Sequence, residues 1–183
     1  MENKVVIMGS GGHAKVVAEI AVSAGFELVG FIDSYAQKGT MVQGHVVLGN
    51  EELLKGAQEQ IGTNQVIIAI GDNKNRRIVQ ERLIAINENL EFPTLISPTA
   101  IVSESAELGL GTIVMPAAII NAAARINDFC VVNTGAIVEH DCVINDYAQL
   151  APKSAVGGNV ALKEGVYVGL GASVIQKRTI GTG

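Results

Sequence analysis

The 183-residue chain is poor in aromatic side chains, at 4%, and has no tryptophan. With apolar residues at 48%, its interior must be built from Val, Ile, Leu and Ala, which favours narrow, regular packing. No run of basic residues is present and the net charge is −5, which speaks against a nucleic-acid partner. No apolar run is long enough to span a membrane. The apolar stretch after Met1-Glu2-Asn3-Lys4 is too short for a signal-peptide core, so a cytoplasmic location is expected. The two cysteines, Cys130 and Cys142, are too few for a disulfide framework. Glycine is the abundant exception, at 21 residues, and indicates many turns.

The second half of the chain has a strict period. Every sixth residue from Ile96 through Val102 and Leu108 to Ile180 is Ile, Leu or Val. A companion series, four places on, runs from Ala106 and Thr112 through Cys130, Ala136 and Cys142 to Ala172, and its members are small or β-branched. A six-residue repeat of this kind reads as a short strand and a tight turn. Three such units close a triangular coil of about eighteen residues, and stacked coils satisfy one another's backbone groups. Pro116 and Pro152 fall two places after the aliphatic position, where a turn tolerates a missing N–H. A β-sandwich would instead show period-two strands. About five coils fit before Gly183, where the repeat stops in mid-coil. Solenoids need caps, so either a longer natural chain or a neighbouring subunit is expected to cover that end.

The first half alternates strand and helix. Residues 4–8 read as a buried strand, and Gly9-Ser10-Gly11-Gly12-His13-Ala14 opens a helix running to about Ala24. Leu28–Ile32 is a second strand ending at Asp33, and Val66–Ile70 a third, followed by Gly71-Asp72-Asn73 and a helix to about Ile86. This βαβ order implies a parallel sheet. The first turn fits G-x-G-x-x-A, whose glycines let backbone N–H groups approach a phosphate at a helix N-terminus. Two such halves make a dinucleotide site, and only about 90 residues precede the repeat. One half suits a mononucleotide, such as that of a nucleotide sugar; a plain strand–helix turn is the alternative. Asp33 is placed to accept from a ribose or base, and Gly71 to line the same crevice. The expected organisation is an α/β half-Rossmann domain over residues 1–92, taking a nucleotide sugar, and an all-β parallel β-helix over residues 93–183, with Phe92-Pro93-Thr94 as the link.

Taken together, GSGGHAK at Gly9–Lys15, Phe31-Ile32-Asp33, Ala69–Asn73, Ile96–Ala100 and, above all, NTGAIVEHDC at Asn133–Cys142 resemble one family. It is the bacterial nucleotide-sugar and sialic acid acetyltransferases. The resemblance covers nearly the whole chain. It implies a left-handed β-helix, acetyl-CoA as co-substrate, no metal, and a homotrimer. It implies transfer of an acetyl group to the amino group of a nucleotide-linked amino sugar, for example UDP-4-amino-4,6-dideoxy-N-acetylglucosamine, in surface glycan synthesis. It gives His140 the role of general base with Asp141 as its acidic neighbour. It places the nucleotide sugar against Gly11, Gly12, His13, Asp33, Ser34 and Gly71, and acetyl-CoA against Asn133, Gln149, Gly158 and Leu170. Family members usually carry His where this chain has Gln149, an amide that can donate to a carbonyl but cannot titrate. A later CoA contact of the family lies beyond Gly183.

The register adds to this. His140 stands two places after Val138, on an outward turn, between Ala122 and Gly158 one coil away on either side, which leaves a shallow groove. Gln149 is half a coil from His140 and on the other side of the prism. If both serve one reaction, they come from different subunits, and a cyclic trimer suits a three-sided prism. Cys142 is a tempting nucleophile, but it falls in the small-residue series and is expected to be a buried filler, so transfer is direct. An O-acetyltransferase acting on sialic acid or a polysaccharide unit would use the same base on a hydroxyl. A non-catalytic nucleotide-sugar-binding scaffold is the reading of another class. A serine acetyltransferase would have a helical N-terminal domain, contrary to the strands at residues 4–70.

Overall fold

The computed structural model describes residues 3–181. The chain divides into two compact units, Met1–Pro93 and Thr94–Gly183.

The first unit is built on β1 (Lys4–Met8), α1 (Gly12–Ser23), β2 (Glu27–Ile32), β3 (Met41–Val42), β4 (His45–Gly49), a 3₁₀ turn (Glu51–Gly56) leading into α2 (Ala57–Gln60), β5 (Val66–Ile68) and α3 (Asn73–Ile86). The sheet order is β3-β4-β2-β1-β5. β5, β1, β2 and β4 run parallel, and β3 pairs antiparallel with β4. Val5, Val6 and Ile7 are wholly buried, as a strand covered on both faces requires. Ala14, Val17, Ala18 and Ala21 form the buried stripe of α1 at helical spacing. β5 ends at Ile68, two residues before the expected Ile70.

The β3–β4 hairpin was not expected from the sequence. Its two-residue loop places Gln43 at φ 47° and Gly44 at φ 79°, the twin positive angles of a tight hairpin turn. Gly9 sits at φ +102°, and a Cβ there would come within 3.1 Å of the Ala69 carbonyl oxygen. The first turn therefore needs glycine on both conformational and steric grounds.

The second unit is a parallel β-helix of two-residue strands in three five-stranded sheets. The first face carries Leu95–Ile96, Ile113–Val114, Val131–Val132, Gln149–Leu150 and Tyr167–Val168. The second carries Ile101–Val102, Ile119–Ile120, Ile137–Val138, Ala155–Val156 and Ser173–Val174, and the third Glu107–Leu108, Arg125–Ile126, Val143–Ile144, Ala161–Leu162 and Thr179–Ile180. Each strand pairs with its equivalent one coil on, as Ile137 does with Ala155 and Val143 with Ala161. The aliphatic series points inward: Val114, Ile120, Ile126, Val132, Val138 and Ile144 are at most 2% exposed. Cys130 and Cys142 lie among them, fully buried. The expected ragged end at Gly183 lies outside the described residues.

Every sixth residue from Gly111 to Lys177 adopts a left-handed conformation, with φ between 53° and 70°. Most of these are not glycine; Ala117, Ala123, Phe129, Asp141, Tyr147, Lys153, Asn159 and Lys177 are among them. Each non-glycine residue there costs roughly 1–2 kcal/mol. The offset is visible in the bonding. The N–H of each such residue from Phe129 on donates to a carbonyl one coil below, as Asp141 does to Ala122 O at 3.0 Å and Asn159 to His140 O at 3.0 Å.

Removing one inward aliphatic should cost far more than removing an outward one. Ile126→Ala is expected to lose about 2–5 kcal/mol. Val143→Ala, at an outward side chain of the third face that is 37% exposed, is expected to stay within about 0.5 kcal/mol of the parent. Urea unfolding of the two variants, followed by circular dichroism, measures both.

Candidate active site

His140 sits at the corner between the second and third faces, in the turn Glu139-His140-Asp141-Cys142 that links Ile137–Val138 to Val143–Ile144. The side chain is 55% exposed. Two contacts define its pose. Nδ1 lies 2.8 Å from Asp141 Oδ2. The ring lies against Gly158 one coil above, so that a Cβ at that position would be 2.6 Å from both Cε1 and Nε2. With its proton on Nδ1, His140 donates to Asp141 and leaves the Nε2 lone pair as an acceptor. Asp141 holds φ +58°, and Asp is among the few residue types that tolerate this region well. The N–H of Gly158 donates to no acceptor in the chain among the described residues.

Cys142 is not part of this chemistry. It is buried, and its thiol donates to Gly157 O at 3.2 Å. Burial pushes the thiol up, and the Glu139 and Asp141 charges push the same way, so the nucleophilic thiolate is disfavoured.

The other expected cofactor residues are distributed. Asn133 and Leu170 both occupy the corner between the first and second faces; Leu170 is 74% exposed, and Asn133 is half-buried and accepts from Thr134 N at 2.8 Å. Gln149 is brought to neither corner. It begins a strand on the first face and is 6% exposed, with Oε1 buried and unpartnered. In the same outward column Leu95, Ile113 and Val131 are buried, whereas Tyr167, the next member, is 58% exposed, so Gln149 is a packed side chain at the edge of an open one.

In the first unit, α1 starts with no side-chain cap at Gly11. The N–H groups of Gly11, Gly12 and His13 donate to no acceptor in the chain among the described residues. They form an open set of donors at the positive end of a helix. Asp33 faces this turn but is already engaged. Oδ2 accepts from Ser10 N at 2.9 Å and Ser10 Oγ at 2.6 Å, and Oδ1 from Tyr35 N at 2.8 Å and Ala36 N at 3.3 Å. Through those bonds Asp33 braces the turn. Burial works against its charge, but the bonds from Ser10, Tyr35 and Ala36 outweigh it and hold the carboxyl below its ordinary 3.8.

Beside Asp33 and Ser34, at the carboxyl ends of β2 and β4, is an open cavity of about 320 Å³, lined also by Lys38, Leu48, Asn50 and Leu53. The sequence reading missed these four residues. The unread β3–β4 hairpin was the signal that would have brought Leu48 and Asn50 beside Asp33. Gly71 is exposed between β5 and α3, with open space around it. Among the described residues, no group of three His, Cys, Asp or Glu side chains could hold a metal. No described helix is long and apolar enough to cross a membrane.

This pairing of an α/β unit with a β-helix that carries an outward histidine defines a class of acyltransferase. The family model for the PglD N-terminal domain matches residues 4–83. Among solved structures, the chain is 37% identical to a histidine-to-alanine variant of GDP-perosamine N-acetyltransferase from Caulobacter crescentus in complex with CoA and GDP-perosamine. That match covers 98% of this chain and 83% of the other, with a TM-score of 0.91. The acetyltransferase domain of PglB from Neisseria gonorrhoeae, in complex with acetyl coenzyme A, is 34% identical over 100% of this chain and 87% of its own, with a TM-score of 0.89. No curated protein matches the chain. The chain belongs to the nucleotide-sugar N-acetyltransferase family and is a CoA-dependent acyltransferase that acts on amino sugars. It shares with these structures the α/β unit followed by a left-handed β-helix.

Two outcomes follow from the geometry. Gly158→Ala forces the His140 ring to move, so kcat should fall by about tenfold or more while the fold, checked by circular dichroism, is kept. The second concerns pH. Burial pushes His13 below its ordinary 6.5, and Arg76 adds to this. The unfolded chain therefore binds a proton that the fold refuses. His13's contribution to stability is complete above 6.5 and declines as pH falls below it. Asp33's contribution is complete above 3.8 and is lost only as pH falls further. Thermal melts between about pH 8 and pH 5 should show stability falling with pH, and His13→Gln should flatten that slope.

Proposed function

We propose that His140 is the general base that removes a proton from the sugar amine, and that Gly158 N–H receives the oxyanion. The single observation behind this is the pose of the ring. Asp141 engages Nδ1, Gly158 offers a flat floor, and Nε2 has no partner in the chain among the described residues. The amine lone pair attacks the thioester carbonyl of acetyl-CoA and the N–C bond forms. The nitrogen's proton passes to Nε2, the C–S bond breaks, and the proton passes on to the sulfur, so that CoA leaves as a thiol. General base catalysis contributes about 10²–10⁴-fold, and one oxyanion donor about 10²–10³-fold.

The cofactor is held by the β-helix unit, residues 93–183, through Asn133, Gly158 and Leu170. Buried Gln149 is left out of direct contact. The nucleotide sugar is held by the α/β unit, residues 1–92. Gly11, Gly12 and His13 offer their N–H groups to the diphosphate, Gly71 lets the ligand approach closely, and Ser34 with the adjoining cavity takes the nucleoside, while Asp33 braces the turn. The bound ligands of the relatives, GDP-perosamine in one and CoA or acetyl-CoA in both, support these classes of substrate. The working form is a homotrimer in the cytoplasm, where acetyl-CoA is made available. Supporting it is the outward column of the second face, Ile101, Ile119, Ile137 and Ala155, an apolar stripe leading to the His140 corner, with Ile101 65% exposed. Light scattering should then give three times the 19.1 kDa chain mass.

The decisive assay offers acetyl-CoA with GDP- and UDP-linked 4-amino sugars and reads the acetylated product by mass. His140→Ala should lower kcat by about 10²–10⁴-fold with the fold intact. Cys142→Ala should leave turnover near the parent value. A His140→Ala variant with near-normal turnover would remove His140 from the mechanism.

A further inference from the structure

The cavity beside Asp33 and Ser34 joins an apolar wall to a polar rim. Leu48, on β4, and Leu53, in the 3₁₀ turn, form the wall, and both are half-buried. Gly49 ends β4 at φ +149°, and a Cβ there would stand 3.1 Å from Leu53 Cδ1, so the Leu53 side chain lies over the strand end. A planar heterocycle needs such a wall for its face and polar partners for its edge. The polar side chains of the rim differ in what they can offer. Asp33 is bonded to Ser10, Tyr35 and Ala36, and the Ser34 hydroxyl can donate or accept. Lys38 is exposed, and an ammonium carries donors and no acceptor. Asn50 has its orientation fixed by the turn. A backbone N–H bonds only to an acceptor, and Glu52 N donates to Asn50 Oδ1 at 3.1 Å. The amide NH₂ donates to no acceptor in the chain among the described residues, and it is the group Asn50 keeps for a ligand. Lys38 and Asn50 thus bring donors alone to one cavity.

We propose that Asn50, together with Lys38, selects the base of the nucleotide sugar, so that the cavity takes an oxo base, either a 6-oxopurine or a 4-oxopyrimidine, and rejects the amino bases. The carbonyl oxygen on the outer edge of an oxo base accepts from Asn50 Nδ2 and Lys38 Nζ, while the base face lies on Leu48 and Leu53. Adenine and cytosine carry an amino group at that place, itself a donor. It would set donor against donor and leave the protein groups without a partner, which a site built for hydrogen bonding penalises strongly. This role rests on the reading that the cavity takes the nucleoside of the nucleotide sugar.

Matched diphosphates isolate the group at issue. IDP and ADP, like UDP and CDP, differ only in the oxo or amino group and the ring proton beside it. Full-length parent, Asn50→Asp and Lys38→Met are titrated calorimetrically with all of them. The parent should bind the oxo member of at least one pair about tenfold or more tightly than the amino member, roughly 1.4 kcal/mol. Asn50→Asp keeps an acceptor for Glu52 N, and so keeps the turn, but puts an oxygen where the NH₂ was. Its oxo-to-amino ratio should fall by at least about fivefold. Repulsion between the new carboxylate and the diphosphate cancels within a pair. Lys38→Met should lower the ratio in the same sense by about threefold or more, and it carries the comparison should Asn50→Asp not fold. A parent that binds diphosphates with no preference for the oxo member, or a preference that Asn50→Asp leaves unchanged, overturns the role of Asn50 while the nucleoside reading stands. A parent that binds none of these diphosphates overturns that reading, and this inference with it.

Discussion

Each coil of the β-helix must turn three corners, and from Gly111 to Lys177 every corner places one residue at φ near +60°. The rest of the second unit depends on this constraint. From Phe129 on, the left-handed residue directs its N–H down to a carbonyl of the preceding coil, so these turns are stitched together by hydrogen bonds as the strands are. It keeps the aliphatic series pointing inward without slip, because a one-residue shift would put a bulky side chain at the small position. It also sets the pose of His140. Asp141 takes the left-handed place in its turn, and the residue before it, His140, is thrown outward with its ring over the neighbouring coil. A glycine at 158 is then the condition for that ring to lie flat. The corner proposed for catalysis is thus an ordinary corner of the repeat that carries His140, Asp141 and Gly158.

The two units solve the same problem by different means. Both leave backbone N–H groups with no acceptor in the chain among the described residues, open to a ligand. In the α/β unit these are the orphan donors of an uncapped helix, and a saturated carboxylate, Asp33, holds the turn that carries them. In the β-helix it is the N–H of Gly158, left over at a corner where its neighbours Gly157 and Asn159 are engaged. Such donors are rigid, which suits a site whose ligands bring negative charge or develop it during reaction.

The architecture was legible because both units obey simple periodicities. The hexad of aliphatic residues fixes inward and outward positions, and it correctly placed Cys142 and Cys130 inside and His140 outside. The turn glycines and the strand at residues 4–8 were equally plain. What escaped the sequence was set by contacts between distant segments. Gln43-Gly44 between apolar neighbours was a hairpin signal, but strands of two and five residues are short, and the cavity residues Lys38, Leu48, Asn50 and Leu53 went unseen with them. The bonds of Asp33 to Ser10 and Tyr35 close only in the fold. The burial of Gln149, given to the cofactor by resemblance, is not legible because one face of a repeat looks like another in sequence. The sequence does not single out Arg76, since nothing local marks a guanidinium that will fold back onto strand ends.

The central claim is that the corner of His140, Asp141 and Gly158 is where the acetyl group changes hands. A crystal structure of the protein with CoA and a nucleotide-linked 4-amino sugar addresses it most directly. The account predicts the sugar nitrogen within about 3 Å of His140 Nε2, with the CoA sulfur at the same corner and Gly158 N–H facing the place of the thioester oxygen. A sugar nitrogen held elsewhere, with His140 left in solvent, would contradict it.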